Sequence, residues 1–170
     1  MQKRLAISSA IKIVGLLLCA VFLLGGCAAK SVEVSRAVYV EIDAGRLKFA
    51  DFGFLDDFGD TRKLEVYSLG SPVFSIEKDG RVCIASGCIS GEEFALRYVK
   101  VALYDGAMDD ILSGKQMRLD ATLTKIPNGF IQVGKDGEKH LFTYKKDGDS
   151  ALFLNGDGDF RFFMRFVDEK

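Results

Sequence analysis

RKLEVYSLGSPVFSIEKDGRV, residues 62–82, alternates apolar and polar side chains through three short runs broken by Leu69-Gly70 and by Asp79-Gly80. Period-two alternation marks a strand with one face toward a core, and glycine-containing pairs mark the reversals between strands. Glu65 belongs in water, which turns Leu64 and Val66 inward. Phe74 and Ile76 turn inward for the same reason.

The pattern extends in both directions. Residues 37–43, 46–55, 63–68, 73–77 and 81–85 read as strands, and so do 118–125, 130–133, 140–145, 151–154 and 159–167. Asp136-Gly137, Asp147-Gly148 and Asn155-Gly156-Asp157-Gly158 supply the positive φ that tight hairpins need. The expected fold is mainly β with a few helices, an antiparallel meander. In the last strand Phe160, Phe162, Met164 and Phe166 share one face, with Arg161 and Arg165 on the other. Fourteen phenylalanines, thirteen of them after residue 26, and no tryptophan give a large, smooth apolar interior.

Between the two groups of strands lies a helical interval. Ser90-Gly91-Glu92-Glu93 fits a capping box, and Phe94 and Tyr98 share a face one turn apart. A second helix, residues 106–113, groups Met108, Ile111 and Leu112 on one side and ends at Gly114. It leaves Asp109 and Asp110 on its outer face.

Residues 1–26 read differently. Lys3, Arg4 and Lys12 precede or open onto an apolar run from Ile13 to Leu24, the pattern of a signal peptide. That run is twelve residues long, where crossing a bilayer takes about 20. Leu24-Gly25-Gly26-Cys27 resembles a bacterial lipobox, which implies that Cys27 becomes the acylated first residue of the mature chain. Stable anchoring takes two or more acyl chains, since each buried methylene adds roughly 0.8 kcal/mol. Ala28 follows where an aspartate would signal inner-membrane retention, so the resemblance implies an outer-membrane address on the periplasmic side. Residues 27–36 then form an acylated tether, and 37–170 a single domain.

The signal carries three of the 23 basic side chains and none of the 24 acidic ones, leaving a mature net charge of about −4. Such a balance gives no electrostatic footprint for nucleic acid. Catalytic patterns are equally thin. His140, the single histidine, lies in an alternating strand and no G-x-S-x-G elbow accompanies it. The Asn155–Asp159 stretch begins like a calcium loop but meets Phe160 and Phe166 where that loop needs glycine and glutamate. Asp56, Asp57 and Asp60 read as a solvated loop. No catalytic residue, metal site or cofactor is expected.

RVCIASGCIS, residues 81–90, holds Cys83 and Cys88. A disulfide is the first reading, because an oxidising compartment favours it and a hairpin loop of Ile84-Ala85-Ser86-Gly87 sets the two cysteines opposite each other on the outer face. Reactive thiols and half of a metal site are the other readings, although C-x4-C has neither the spacing of a thiol oxidoreductase nor two further ligands nearby.

The order of these parts is similar to the outer-membrane lipoprotein receptors of the LolA/LolB family. The likeness runs from about Arg46 to the C-terminus and is clearest in residues 62–82, in DDILSGK (109–115), in GFIQVGKDGEKHLFTY (129–144) and in FRFFMRF (160–166). It implies a half-open antiparallel β-barrel capped by short helices. The apolar cavity, lined by Leu64, Val66, Phe74, Ile76, Phe160, Phe162, Met164 and Phe166, takes the acyl chains of another lipoprotein. A monomeric acceptor would receive that cargo from a LolA-like periplasmic carrier and release it into the outer membrane. An exposed leucine between the third and fourth strands serves delivery in that family, and Leu69 holds the matching position. The chain departs from the family in having Ser68 before that leucine where proline is usual, in lacking tryptophan, and in its short segment before Arg46. The competing expectation is a structural or surface-interaction lipoprotein, an envelope scaffold or adhesin, with a filled core and no lipid cargo.

Overall fold

The structure is a computed structural model and describes residues 32–85 and 87–167. The signal peptide, Cys27 and Ser86 lie outside the described residues. Eleven strands form one antiparallel sheet: β1 (Val34–Ala44), β2 (Leu47–Asp57), β3 (Arg62–Ser68), β4 (Ser71–Ile76), β5 (Val82–Ile84), β6 (Gly87–Ile89), β7 (Ala121–Ile126), β8 (Gly129–Asp136), β9 (Lys139–Asp147), β10 (Ser150–Asn155) and β11 (Arg161–Phe166).

Their order across the sheet is β6-β5-β4-β3-β2-β1-β11-β10-β9-β8-β7. Short reversals make each strand pair with its chain neighbour, the outcome that brief connections dictate. Two meanders result, and they join where the first strand meets the last: Val38 pairs with Phe166, Val40 with Met164 and Ile42 with Phe162. The edges β6 and β7 do not pair with each other, so the sheet is not closed. Between them in sequence comes α1 (Gly91–Phe94), which continues as a π turn (Ala95–Val99), and then α2 (Ala107–Leu112).

One face of the sheet carries the core. Val38, Val40, Leu64, Val66 and Val82 are fully buried, as are the phenylalanines of β4, β9, β10 and β11 that share their face. Phe94 shows how the sheet curls, because its ring lies 6.2 Å from Phe74 of β4 and 6.1 Å from Phe160 beside β11. Strands at distant places in the sheet order therefore converge on one helical side chain.

Several boundaries differ from the sequence expectation. β1 takes in Val34–Arg36 from the stretch read as tether. β6 lies where no strand is expected, and Ile84 pairs with Gly87, both of which the sequence places in the loop. The strand expected from Arg118 starts at Ala121, after Met117 is buried and the Arg118 amide donates to the Tyr104 hydroxyl at 2.9 Å. The capping box is half made: Ser90 Oγ accepts from the Glu93 amide at 3.1 Å, while the Glu93 carboxylate accepts from Arg97 at 2.7 Å instead of reaching back.

At the β10–β11 reversal, Asn155 is buried and its Oδ1 accepts from the Phe160 amide at 3.0 Å. This bond fixes the turn that aims Phe160 into the core. Asn155→Ala leaves that amide buried without a partner, a cost of about 1–3 kcal/mol, to be read from the denaturant midpoint.

Candidate functional site: a helix-covered apolar face and an exposed leucine

The helical segment packs on the inward face of the sheet, with Phe94, Ala95 and Val99 buried. Ser90 starts α1, and Phe94 and Tyr98 stack on each other with centroids 5.1 Å apart. The π turn ends at Lys100, whose amide donates to the Ala95 carbonyl and whose φ is 58°. That left-handed residue turns its side chain to Asp159, and the two form an ion pair. Lys100 beside it holds the Asp159 carboxyl below its ordinary range, with Asn155 adding to the effect, and Asp159 raises Lys100 in return. The helical segment is thus tied to the β10–β11 turn by one surface pair and one buried ring.

α2 adds a second patch of cover. Met108, Ile111 and Leu112 are buried as the sequence suggests, but Asp110 is buried as well, which corrects its assignment to the outer face. The Tyr104 hydroxyl donates to Asp110, and Arg118 lies 3.5 Å from the same carboxylate. Burial first, and then the hydrogen bond to Asp110, raise the Tyr104 phenol. Asp109 meets Arg62 of β3 at 3.5 Å. Gln132, also buried, accepts from the Met117 amide at 2.8 Å and donates to the Met117 carbonyl at 3.1 Å, which clamps the segment between α2 and β7. Burial raises Tyr144, beneath α2, far above the ordinary phenol range.

Of the eight residues expected to line a cavity, Leu64, Val66, Phe74, Ile76, Phe160, Phe162 and Met164 are buried and belong to one core cluster. Phe166 is half-buried at the rim, with the Arg36 guanidinium 3.9 Å over its ring. The interior rings touch: Phe142 stacks on Phe153 at 5.7 Å, and Phe153 meets Phe160 at 6.1 Å. A cleft of about 850 Å³ opens beside the helices, between the β4–β5 turn and the start of α2. Ile76 is the one member of the eight that lines it. Leu103, Met108 and Leu112 form its apolar wall, and Lys78, Asp79, Arg81 and Glu92 its charged rim.

Leu69 sits at the tip of the β3–β4 hairpin. Ser68 pairs with Ser71, so Leu69 and Gly70 are the two turn residues, with φ of 50° and 81°. Positive φ at both centres is what a type I′ hairpin turn requires, and asparagine, aspartate and glycine meet it easily. Leucine there is strained by about 1 kcal/mol, and its side chain is 104% exposed. Neither packing nor turn chemistry accounts for that residue.

Cys83 and Cys88 form a disulfide across β5 and β6. Their register explains the fit, since the pair next to a two-residue turn's closing pair is the closely spaced kind in an antiparallel ladder. The loop it closes is short, so reduction should lower stability by roughly 2 kcal/mol in the chain-entropy model. Thermal melts with and without reductant measure this. Uptake of apolar ligand should survive, because neither sulfur faces the core.

The sequence reading missed the outward aromatic side chains. Phe52 and Phe54 are 60% and 52% exposed on the sheet's outer face. The stretch DFGFL, 51–55, is apolar on both faces, so alternation alone does not mark which side is unusual. His140 is exposed and its ring lies 3.0 Å from the Thr143 hydroxyl. Among the described residues no group of three or more His, Cys, Asp or Glu is placed to hold a metal ion, and no helix is long and apolar enough to cross a membrane. No protein-family model, curated protein or solved structure matches the chain.

Proposed function

We propose that the chain is a membrane-anchored acceptor of acylated proteins, similar in working to the outer-membrane receptors of the LolA/LolB family. The observation that carries this reading is how the apolar face is covered. The sheet stops short of closing, and a nine-residue helical segment, Gly91–Val99, supplies a single ring between Phe74 and Phe160. The cover is short: it seats Phe94, Ala95 and Val99 on the core with Tyr98 beside them, and the Lys100–Asp159 ion pair closes its end, so it can lift as a unit from a face lined by aromatic and aliphatic side chains that suit acyl chains. No covalent chemistry is needed, because transfer follows wherever the interior binds acyl chains better than the donor and the bilayer binds them better still. Leu69, strained and exposed at its turn, is the group that meets the lipid at delivery. Cys27, acylated, keeps the chain at the outer membrane.

One observation favours a second reading, a structural or surface-interaction lipoprotein. The interior rings of Phe94, Phe142, Phe153 and Phe160 are in contact with one another. Saturable binding of an apolar dye by the folded chain separates the two, since a permanently filled core gives none.

The test of the first reading uses the chain with Cys27→Ser, mixed with a LolA-like carrier loaded with acylated lipoprotein. The lipoprotein should move to the chain and be recovered with it. Failure to take up any lipoprotein contradicts the proposal.

A further inference from the structure

The outer face of the sheet carries a stripe of aromatic rings that the acceptor reading does not use. Phe163 of β11 meets Tyr39 of β1 edge-on at 6.5 Å, and Tyr39 meets Phe52 of β2 at 5.5 Å. Phe54, two residues along β2 on the same face, meets Tyr67 of β3 at 6.3 Å. Tyr67 is two residues before Leu69. The stripe therefore crosses four neighbouring strands and runs into the exposed leucine. Scattered surface phenylalanines need no explanation, but a connected apolar stripe on the outside of a sheet marks a contact surface.

The chain itself says what covers it. Val32 and Val34, 46% and 52% exposed, are where the described residues begin, and Phe54 pairs with Ala37, three residues further on. The seven residue-to-residue steps from Cys27 to Val34 reach at most about 25 Å even when fully extended. An acyl group on Cys27 thus keeps the start of β1, and the stripe beside it, within that distance of the bilayer. The charges around the stripe are of both signs and pair with one another: Glu41 with Arg161, Lys63 with Glu65, and Asp43 with Lys48. An apolar stripe without a net field suits a neutral lipid surface, and rings of this kind settle at the boundary between headgroups and acyl chains.

We infer that the outer face around Phe52 and Phe54 rests on the surface of the membrane, so that the sheet lies on the bilayer between its anchor and Leu69. This rests on the acceptor reading only for the acylation of Cys27, which the intact mass of the mature chain reports separately. Leu69 then approaches the lipid at a fixed distance from the tether, with the apolar interior turned away from the bilayer until its cover lifts.

The absence of tryptophan makes the test clean, because any introduced one is the sole reporter. Phe52→Trp, Phe54→Trp and, as a reference, Leu123→Trp on the edge strand β7 are prepared in the mature acylated chain and reconstituted into phosphatidylcholine vesicles with or without brominated phosphatidylcholine. Brominated lipid should quench Trp at 52 and 54 about twofold or more, and the reference far less. Equal, weak quenching at all three positions overturns the inference. So does shielding of positions 52 and 54 that depends on protein concentration rather than on bromine, which would mean a second copy covers the stripe. Lipoprotein transfer, followed in the same vesicles, reports on the acceptor reading independently.

Discussion

Leu69→Asn is expected to give a protein that is more stable and delivers less. Asparagine adopts the left-handed conformation with little strain, so the hairpin should gain about 0.5–1 kcal/mol, seen as a higher denaturant midpoint. Inserting a leucine side chain into lipid yields about 1.5–3 kcal/mol, and its loss should slow release of cargo into vesicles about tenfold or more. Leu69→Glu should slow release further, since a carboxylate opposes entry into lipid. Neither change touches the interior, so uptake from the carrier should remain. A loss of uptake together with delivery would place Leu69 in cargo binding and not at the membrane. A residue that costs stability where glycine or asparagine would do is the kind expected at a working surface.

Phe94→Ala should have the largest effect on the fold. The ring is buried between Phe74, Tyr98 and Phe160, and truncating a phenylalanine in such a place costs about 3–5 kcal/mol. For a domain of this size that lowers the melting temperature by roughly 10 °C. The change also removes the wedge that holds the helical segment against the sheet. Dye binding by the folded protein should therefore rise, because the cover opens more readily and leaves space beneath it. Phe162→Ala is the comparison: it costs a similar amount of stability from the middle of β11 but leaves the wedge in place. If both variants gain dye binding equally, the effect belongs to cavity volume and not to the cover.

Much of this fold is legible in residues 62–82. The alternation of Leu64 and Val66 with Glu65, and of Phe74 and Ile76 with their neighbours, gives the correct inward face because glutamate at a core position has no partner to neutralise it. The same logic places Phe162 and Met164. It falters at Phe166, the last residue of β11, whose ring is half-buried and covered by the Arg36 guanidinium. β6 escapes notice because three residues, one of them glycine, carry too little alternation to register. Asp110 is misread for a different reason: a charged residue on a short helix defaults to water unless its partners are known, and Tyr104 and Arg118 become partners only once the chain folds back. The exposed Phe52 and Phe54 are hidden by an opposite effect. Gly53 and Leu55 make the other face of β2 apolar too, so the sequence gives no contrast to read. Leu69 was visible as an odd turn residue, and its positive φ adds the physical cost that makes the choice of leucine informative.

The central claim is that acyl chains enter the space now filled by Phe94 and the rings around it. The most direct measurement uses a diacylated lipopeptide with a photoreactive group at the end of its acyl chain. The lipopeptide is presented to the unmodified mature chain, irradiated, and the adducts are located by peptide mass spectrometry. The account predicts adducts on inward side chains, among them Phe74, Phe94, Phe162 and Met164. Adducts confined to the outer face, at Phe52, Phe54 or Phe163, or no adducts at all, would contradict it.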